Sequence, residues 1–176
     1  MSIDDIFTSM PVLETARLML REISSADAAR MAHEFMAPEP LAQLHDGTAG
    51  MEPFSIHDPP PWGVFAKGEE GAIGFCRFHE WHLRHARACL LFALAPSHRH
   101  RGYMSEALRA VLTFGFRRME LNRIEITCST GNIAAIRTME QIGMKEEMVL
   151  RGCVLINGTA RDLCLYSALA QEWRDR

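Results

Sequence analysis

The run Ala88-Cys89-Leu90-Leu91-Phe92-Ala93-Leu94 constrains this chain most. Seven apolar residues are too few to span a bilayer, and too uniform for a strand with one wet face. They predict a central strand covered on both sides. The strand runs into Pro96-Ser97-His98-Arg99-His100-Arg101-Gly102, a short basic turn ending in glycine. Beyond it, Leu108, Val111, Leu112, Gly115 and Met119 recur on one face of a predicted helix. The first amides of a helix have no internal partner, and its dipole favours anions. Gly102 allows close backbone approach. The residues alone allow two readings: a pyrophosphate site, or a basic surface turn before an ordinary helix.

The remaining elements suit one domain over residues 1–176. Arg17–Arg21 alternates polar and apolar residues, as a half-buried strand does. Ser24-Ser25-Ala26-Asp27 resembles a capping box opening a helix to about Met36, with Ala28, Met31, Ala32 and Phe35 on one face. Residues 37–61 carry Pro38, Pro40, Pro53 and Pro59-Pro60-Pro61, which predicts a loop-rich segment. Strands are expected at Trp62–Ala66 and Ala72–Phe78, followed by a loop rich in His and Arg. Ile124, Ile126 and Cys128 alternate along a fifth strand. Asn132 can cap a short helix that Gly143 stops, and Asn157-Gly158 marks a final hairpin. The order predicts a mixed α/β sheet with flanking helices.

Composition excludes several classes. A net charge of -3 carries no general nucleic-acid footprint, and no apolar run is long enough to be a membrane span. The five cysteines, at 76, 89, 128, 153 and 164, form no Cys-x-x-Cys pair. No zinc site is expected, and buried, reduced thiols in a cytoplasmic protein are.

Gly102-Tyr103-Met104-Ser105-Glu106-Ala107-Leu108 is similar to the helix-opening run of GNAT acetyltransferases, in the branch of ribosomal-protein alanine N-acetyltransferases. Leu13–Arg21 resembles that branch's opening strand, and Leu121–Glu125 its fifth. Asn132, Arg137, Glu140 and Gly143 keep the spacing of its Asn-x-x-Ser-x-Arg-x-x-Glu-x-x-Gly signature. Glu147, Arg151, Asn157-Gly158, Arg161-Asp162 and Tyr166-Ser167 resemble its terminal hairpin. Two positions of the acyl-coenzyme-A loop depart: Ser97 stands where Gln or Arg is usual, and His100 replaces a glycine.

The resemblance implies a mostly antiparallel α/β sheet that splays between its fourth and fifth strands. It implies acetyl-coenzyme A as co-substrate and no metal. The pantetheine arm would lie in the splay against Phe92 and Leu94, and its pyrophosphate against Arg99, His100, Arg101, Gly102, Tyr103, Met104 and Ser105. Asn132 and Ala135 would sit near the thioester. The usual catalytic positions hold Cys89, Ala135 and Met139, none of which supplies a carboxylate, Ser or Tyr. His79, Glu80, His82 and His85, in the loop between the third and fourth strands, are titratable residues that could substitute; the three histidines are the candidates for a base, since histidine titrates near neutrality. Expected partners are a small-molecule or peptide amine, with no nucleic acid or membrane, and the chain a monomer or homodimer. The expected activity is N-acetyl transfer to a primary amine, such as a protein N-terminus. The alternative is a coenzyme-A-binding sensor or partner module with little turnover.

Overall fold

The computed structural model describes residues 10–27, 31, 59–156 and 158–173. Its strands are β1 (Leu13–Glu14), β2 (Leu18–Glu22), β3 (Trp62–Ala66), β4 (Gly74–His82), β5 (Arg87–Leu94), β6 (Arg123–Ser129), β7 (Lys145–Ile156) and β8 (Thr159–Leu169). Helix α1 (Tyr103–Arg117) joins β5 to β6, and α2 (Ile133–Gln141) joins β6 to β7. Residues 25–27 and 31 are also helical. The strands form one open sheet in the order β1-β2-β3-β4-β5-β6-β8-β7. Neighbours pair antiparallel except β5 and β6, which run parallel. The two-residue β1 shifts the count, so the strands read as fourth and fifth are β5 and β6.

Registered pairs share a face of the sheet. Phe78, Leu90, Ala88, Ile124 and Ala168 therefore point to one side. There α1 lays down Leu108, Val111 and Leu112, all fully buried. Gly115 brings the helix close: a Cβ there would lie 2.8 Å from Ile124 Cδ1 and 2.9 Å from the Phe78 ring. Trp62 meets Phe78 and Phe114 edge-on in the same core. The predicted helical stripe is thus the buried face, Met119 included.

The punctuation marks act as their chemistry requires. Ser24 Oγ accepts from Asp27 N at 3.1 Å, while Asp27 Oδ2 accepts from Ser24 N at 3.3 Å, a reciprocal cap. Asn132 Oδ1 accepts from Ala135 N at 3.1 Å and starts α2. Gly143, at φ +91°, ends α2 with Gly143 N bonded to Glu140 O and Met144 N to Met139 O. That pair of bonds satisfies the last carbonyls of the helix. Ile156 pairs with Thr159 across the final hairpin, where Gly158 takes φ +75°.

Three expectations need correction. The strand expected at Ala72–Phe78 runs instead from Gly74 to His82. His79 and His82 are therefore strand residues, and His85 lies in the 3-10 turn Leu83–His85. A register shift between His79 and His82 absorbs the break in alternation that made this stretch read as a loop. Of the five thiols, Cys153 is exposed on β7 and Cys89 is half-buried. The expected helical stripe at Ala28, Ala32 and Phe35, residues 37–58 and Asn157 lie outside the described residues.

Gly74 pairs with Leu94 at the end of the β4–β5 ladder. A Cβ at Gly74 would meet the Ala93 carbonyl oxygen at 2.4 Å, a backbone atom that cannot rotate away. Gly74→Ala should lower unfolding free energy by roughly 1–3 kcal/mol, the scale of overpacking. Chemical denaturation checks this, and an unchanged midpoint would contradict the tight pairing.

Candidate active site

The parallel ladder between β5 and β6 is short. It consists of Arg87↔Arg123, Ala88↔Ile124 and Cys89↔Glu125. Beyond it β5 stays paired with β4 as far as Leu94, and β6 with β8 as far as Ser129. The two strands thus diverge while each is held from its outer side. A cleft of about 690 Å3 opens between them and runs to the N-termini of α1 and α2. Leu91, Phe92, Ala93 and Leu94 form one wall, with Thr127 and Cys128 opposite.

The cleft's open end meets the basic turn. Arg99, His100, Gly102, Tyr103, Met104 and Ser105 line it. The first intrahelical bond of α1 runs from Glu106 N to Gly102 O at 3.1 Å. The amides of Tyr103, Met104 and Ser105 therefore have no acceptor within the helix. Gly102 caps α1 at φ +74°. His100 also takes a left-handed conformation, φ +64°. The position where the resemblance expects glycine thus keeps a glycine-like backbone, which His tolerates better than most residues. Arg99 is half-buried, and its Nε donates to Leu94 O at 3.3 Å. Arg101 does not line the cleft, and its carbonyl accepts from Arg17 Nη1 at 2.9 Å.

Arg17 fixes this turn from β2's side. Its Nε donates to Glu106 Oε2 at 2.7 Å, and its guanidinium carbon lies 4.8 Å from the Tyr103 ring centre. Glu106 Oε1 also accepts from Thr15 Oγ1 at 2.6 Å and Arg17 N at 2.8 Å. Burial raises the Glu106 carboxyl pKa, but those hydrogen bonds and the Arg17 charge outweigh it and hold the group below its ordinary value. Arg17 escaped the sequence reading because its partners lie some 84 to 89 residues away. No local pattern signals such contacts.

At α2, Asn132 and Ala135 line the cleft, joined by Gly131, Ile133, Ala134, Arg137, Thr138 and Gln141. The helix cap could have signalled these, since residues just past a cap share the helix's open end. Arg137, part of the signature spacing, is exposed and belongs to this lining. Ser105 Oγ donates to Gln141 Oε1 at 2.8 Å and ties the first turn of α1 to the last residue of α2. Met139 is fully buried in the core. Tyr166 is buried too, donating to Glu146 Oε2 at 3.0 Å. Burial and that carboxylate raise its phenol pKa.

The closed end carries different chemistry. The Cys89 Sγ lies 3.5 Å from Glu80 Oε2 and 3.8 Å from Glu125 Oε2. Burial and then the charges of Glu80 and Glu125 push the Cys89 thiol up to about 12, so it is neither nucleophile nor base near neutrality. Glu125 also binds Arg123 Nε at 2.7 Å and Arg87 Nη1 at 3.2 Å. His79 sits opposite Cys89 in register and is half-buried; His82 pairs with Arg87, one step farther from the cleft, and His85 lies beyond it. None of the three lines the cleft.

Comparison with known proteins gives this geometry a family. The family model described as Acetyltransferase (GNAT) domain matches residues 17–145. The chain is 28% identical over 169 residues to the uncharacterized N-acetyltransferase YoaA of Bacillus subtilis, covering 89% of this chain and 96% of that protein. It is 31% identical over 100 residues to the putative ribosomal N-acetyltransferase YdaF of the same organism, covering 57% of this chain and 55% of that protein. Mycobacterium smegmatis RimJ, solved in complex with CoA-disulfide, superposes with a TM-score of 0.78 at 19% identity, over 92% of this chain and 88% of that one. The likeness to RimJ concerns the fold. The match across residues 17–145 spans the splayed strands and both helix starts. The chain therefore belongs to the GNAT acetyltransferase family and is an N-acetyltransferase.

Proposed function

We propose that acetyl-coenzyme A occupies the β5–β6 cleft and that its acetyl group passes to a primary amine presented at the closed end. The observation that carries this reading is the divergence after Cys89↔Glu125, which leads directly into the α1 N-terminus. The pieces fit the ligand. Unused strand edges can bond an extended pantetheine arm as an added strand would. The amides of Tyr103, Met104 and Ser105, with Arg99, suit a pyrophosphate. The β5 backbone can polarise the thioester carbonyl, and tight positioning of the amine supplies much of the rate. A protein N-terminus is the favoured acceptor, on the strength of the similarity to a protein named a putative ribosomal N-acetyltransferase. A reducing, cytoplasmic setting belongs to the same reading, since five cysteines with no Cys-x-x-Cys pair suit free thiols.

Turnover is tested by release of free coenzyme A with a panel of amines: N-terminal peptides, amino acids and polyamines. Release with at least one acceptor supports the proposal. Binding of coenzyme A with no release for any of them would favour a sensor or partner module.

The cradle is tested at Gly102. A β-branched residue at φ +74° is strained, so Gly102→Val should weaken coenzyme A binding by roughly 1–3 kcal/mol. Gly102→Asn, which accepts the left-handed region, should lose less. Calorimetry reads both, and unchanged affinity in a folded valine variant would contradict the assignment.

The Ala135 side chain lines the cleft but cannot bond a departing thiolate. Ala135→Ser should raise kcat by up to about 10²-fold, the scale of one acid–base contact, with acetyl-coenzyme A affinity unchanged. A rate equal to or below the parent in a folded, binding-competent variant would remove position 135 from consideration.

A further inference from the structure

We propose that Glu80 is the catalytic base that takes the acceptor's proton; the inference rests on the transferase reading above. An alkyl ammonium must lose a proton before its nitrogen can attack, so the closed end of the cleft needs a proton acceptor. Cys89 faces that end but holds its proton.

Glu80 is delivered there by the backbone. It sits in the β4 register shift between His79 and His82, at φ +48°. That conformation is uncommon for a non-glycine residue, and a bulge re-aims the side chain it carries. The Glu80 carboxylate reaches Cys89 on the neighbouring strand, Oε2 to Sγ 3.5 Å. Cys89 belongs to the last pair before the strands diverge, and Leu91, two residues on and on the same face, already lines the cleft. Glu80 is exposed, so an acceptor can approach it from solvent.

The other groups on this side are less suited. Glu125 is bonded to the guanidiniums of Arg87 and Arg123. Glu147 on β7 accepts from Arg123 and Ser167. His82 is displaced by one strand repeat, level with Arg87. His79 stays level with Cys89 and is the competitor that the experiment must separate.

The step balances. The acceptor R–NH3+ gives one proton to the Glu80 carboxylate. Its nitrogen then bonds to the acetyl carbon as the carbon–sulfur bond breaks. The second nitrogen proton goes to sulfur, and Glu80 returns its own to solvent. The net products are the amide, coenzyme A thiol and one proton.

The test compares Glu80→Gln, Glu80→Asp and His79→Ala using the best alkyl amine from the panel and an aromatic amine that is already neutral at pH 7. With the alkyl amine, Glu80→Gln should lose on the order of 10²-fold in kcat/KM at pH 7, with coenzyme A affinity and Tm retained. Glu80→Asp should recover part of the loss. With the aromatic amine the deficit should largely vanish, because no proton need be removed first. A merely structural role would depress both amines alike. Equal loss with both amines, or wild-type rates in Glu80→Gln, would overturn the proposal. So would a loss confined to the alkyl amine in His79→Ala but not in Glu80→Gln. A wild-type protein that binds coenzyme A yet acetylates no amine would overturn the transferase reading and the base with it, whereas an active wild type with an indifferent Glu80→Gln overturns the base alone.

Discussion

Three residue pairs of parallel ladder hold β5 to β6, and everything functional follows from their ending at Cys89 and Glu125. A parallel pair that stops short would normally close up, since buried backbone groups need partners. Here each strand is restrained from outside: β5 by β4 as far as Gly74↔Leu94, β6 by β8 as far as Leu163↔Ser129. The first turn of α1, bonded through Ser105 to Gln141 at the end of α2, sits across the open end. The result is a gap with unused peptide groups on both walls, matched to a ligand that is extended and amide-bearing. A compact ligand would leave those groups unsatisfied.

The cleft is also polarised along its length, which a net charge of -3 conceals. Arg99, Arg137 and the α1 amides sit at the open end. Glu80 sits beside Cys89 at the closed end, where Glu125 is already paired with Arg87 and Arg123. A polyanion is therefore favoured where the strands part and a cation where they meet. In the proposed reaction these are the nucleotide end of one substrate and the ammonium of the other. The Arg17–Glu106 pair keeps the polarity in place by fixing the turn that carries the open end.

Much of this was legible in the chain, where the determinants are local. The uninterrupted apolar run of β5 marked the central strand. The α1 stripe, the Asn132 cap, the Gly143 stop and the hairpin at Gly158 each act within a few residues, so a one-dimensional reading finds them. What escaped depends on distant partners or on backbone. The Arg17 contact with Arg101 and Glu106 is a product of tertiary packing. The bulge at Glu80 hid a strand, so His79, Glu80 and His82 read as loop residues. At His100 the side chain departed from the expected glycine while the left-handed conformation survived, a distinction letters cannot show.

The central claim is that the divergent strand edges and the α1 amides receive one extended ligand. Hydrogen–deuterium exchange with and without coenzyme A tests it at the level of individual amides. The account predicts that coenzyme A slows exchange at residues 91–94 of β5 and at 102–105 of the turn and α1, with β7 unaffected. Saturating coenzyme A that leaves both segments exchanging as in the free protein, or protects β7 instead, would contradict it.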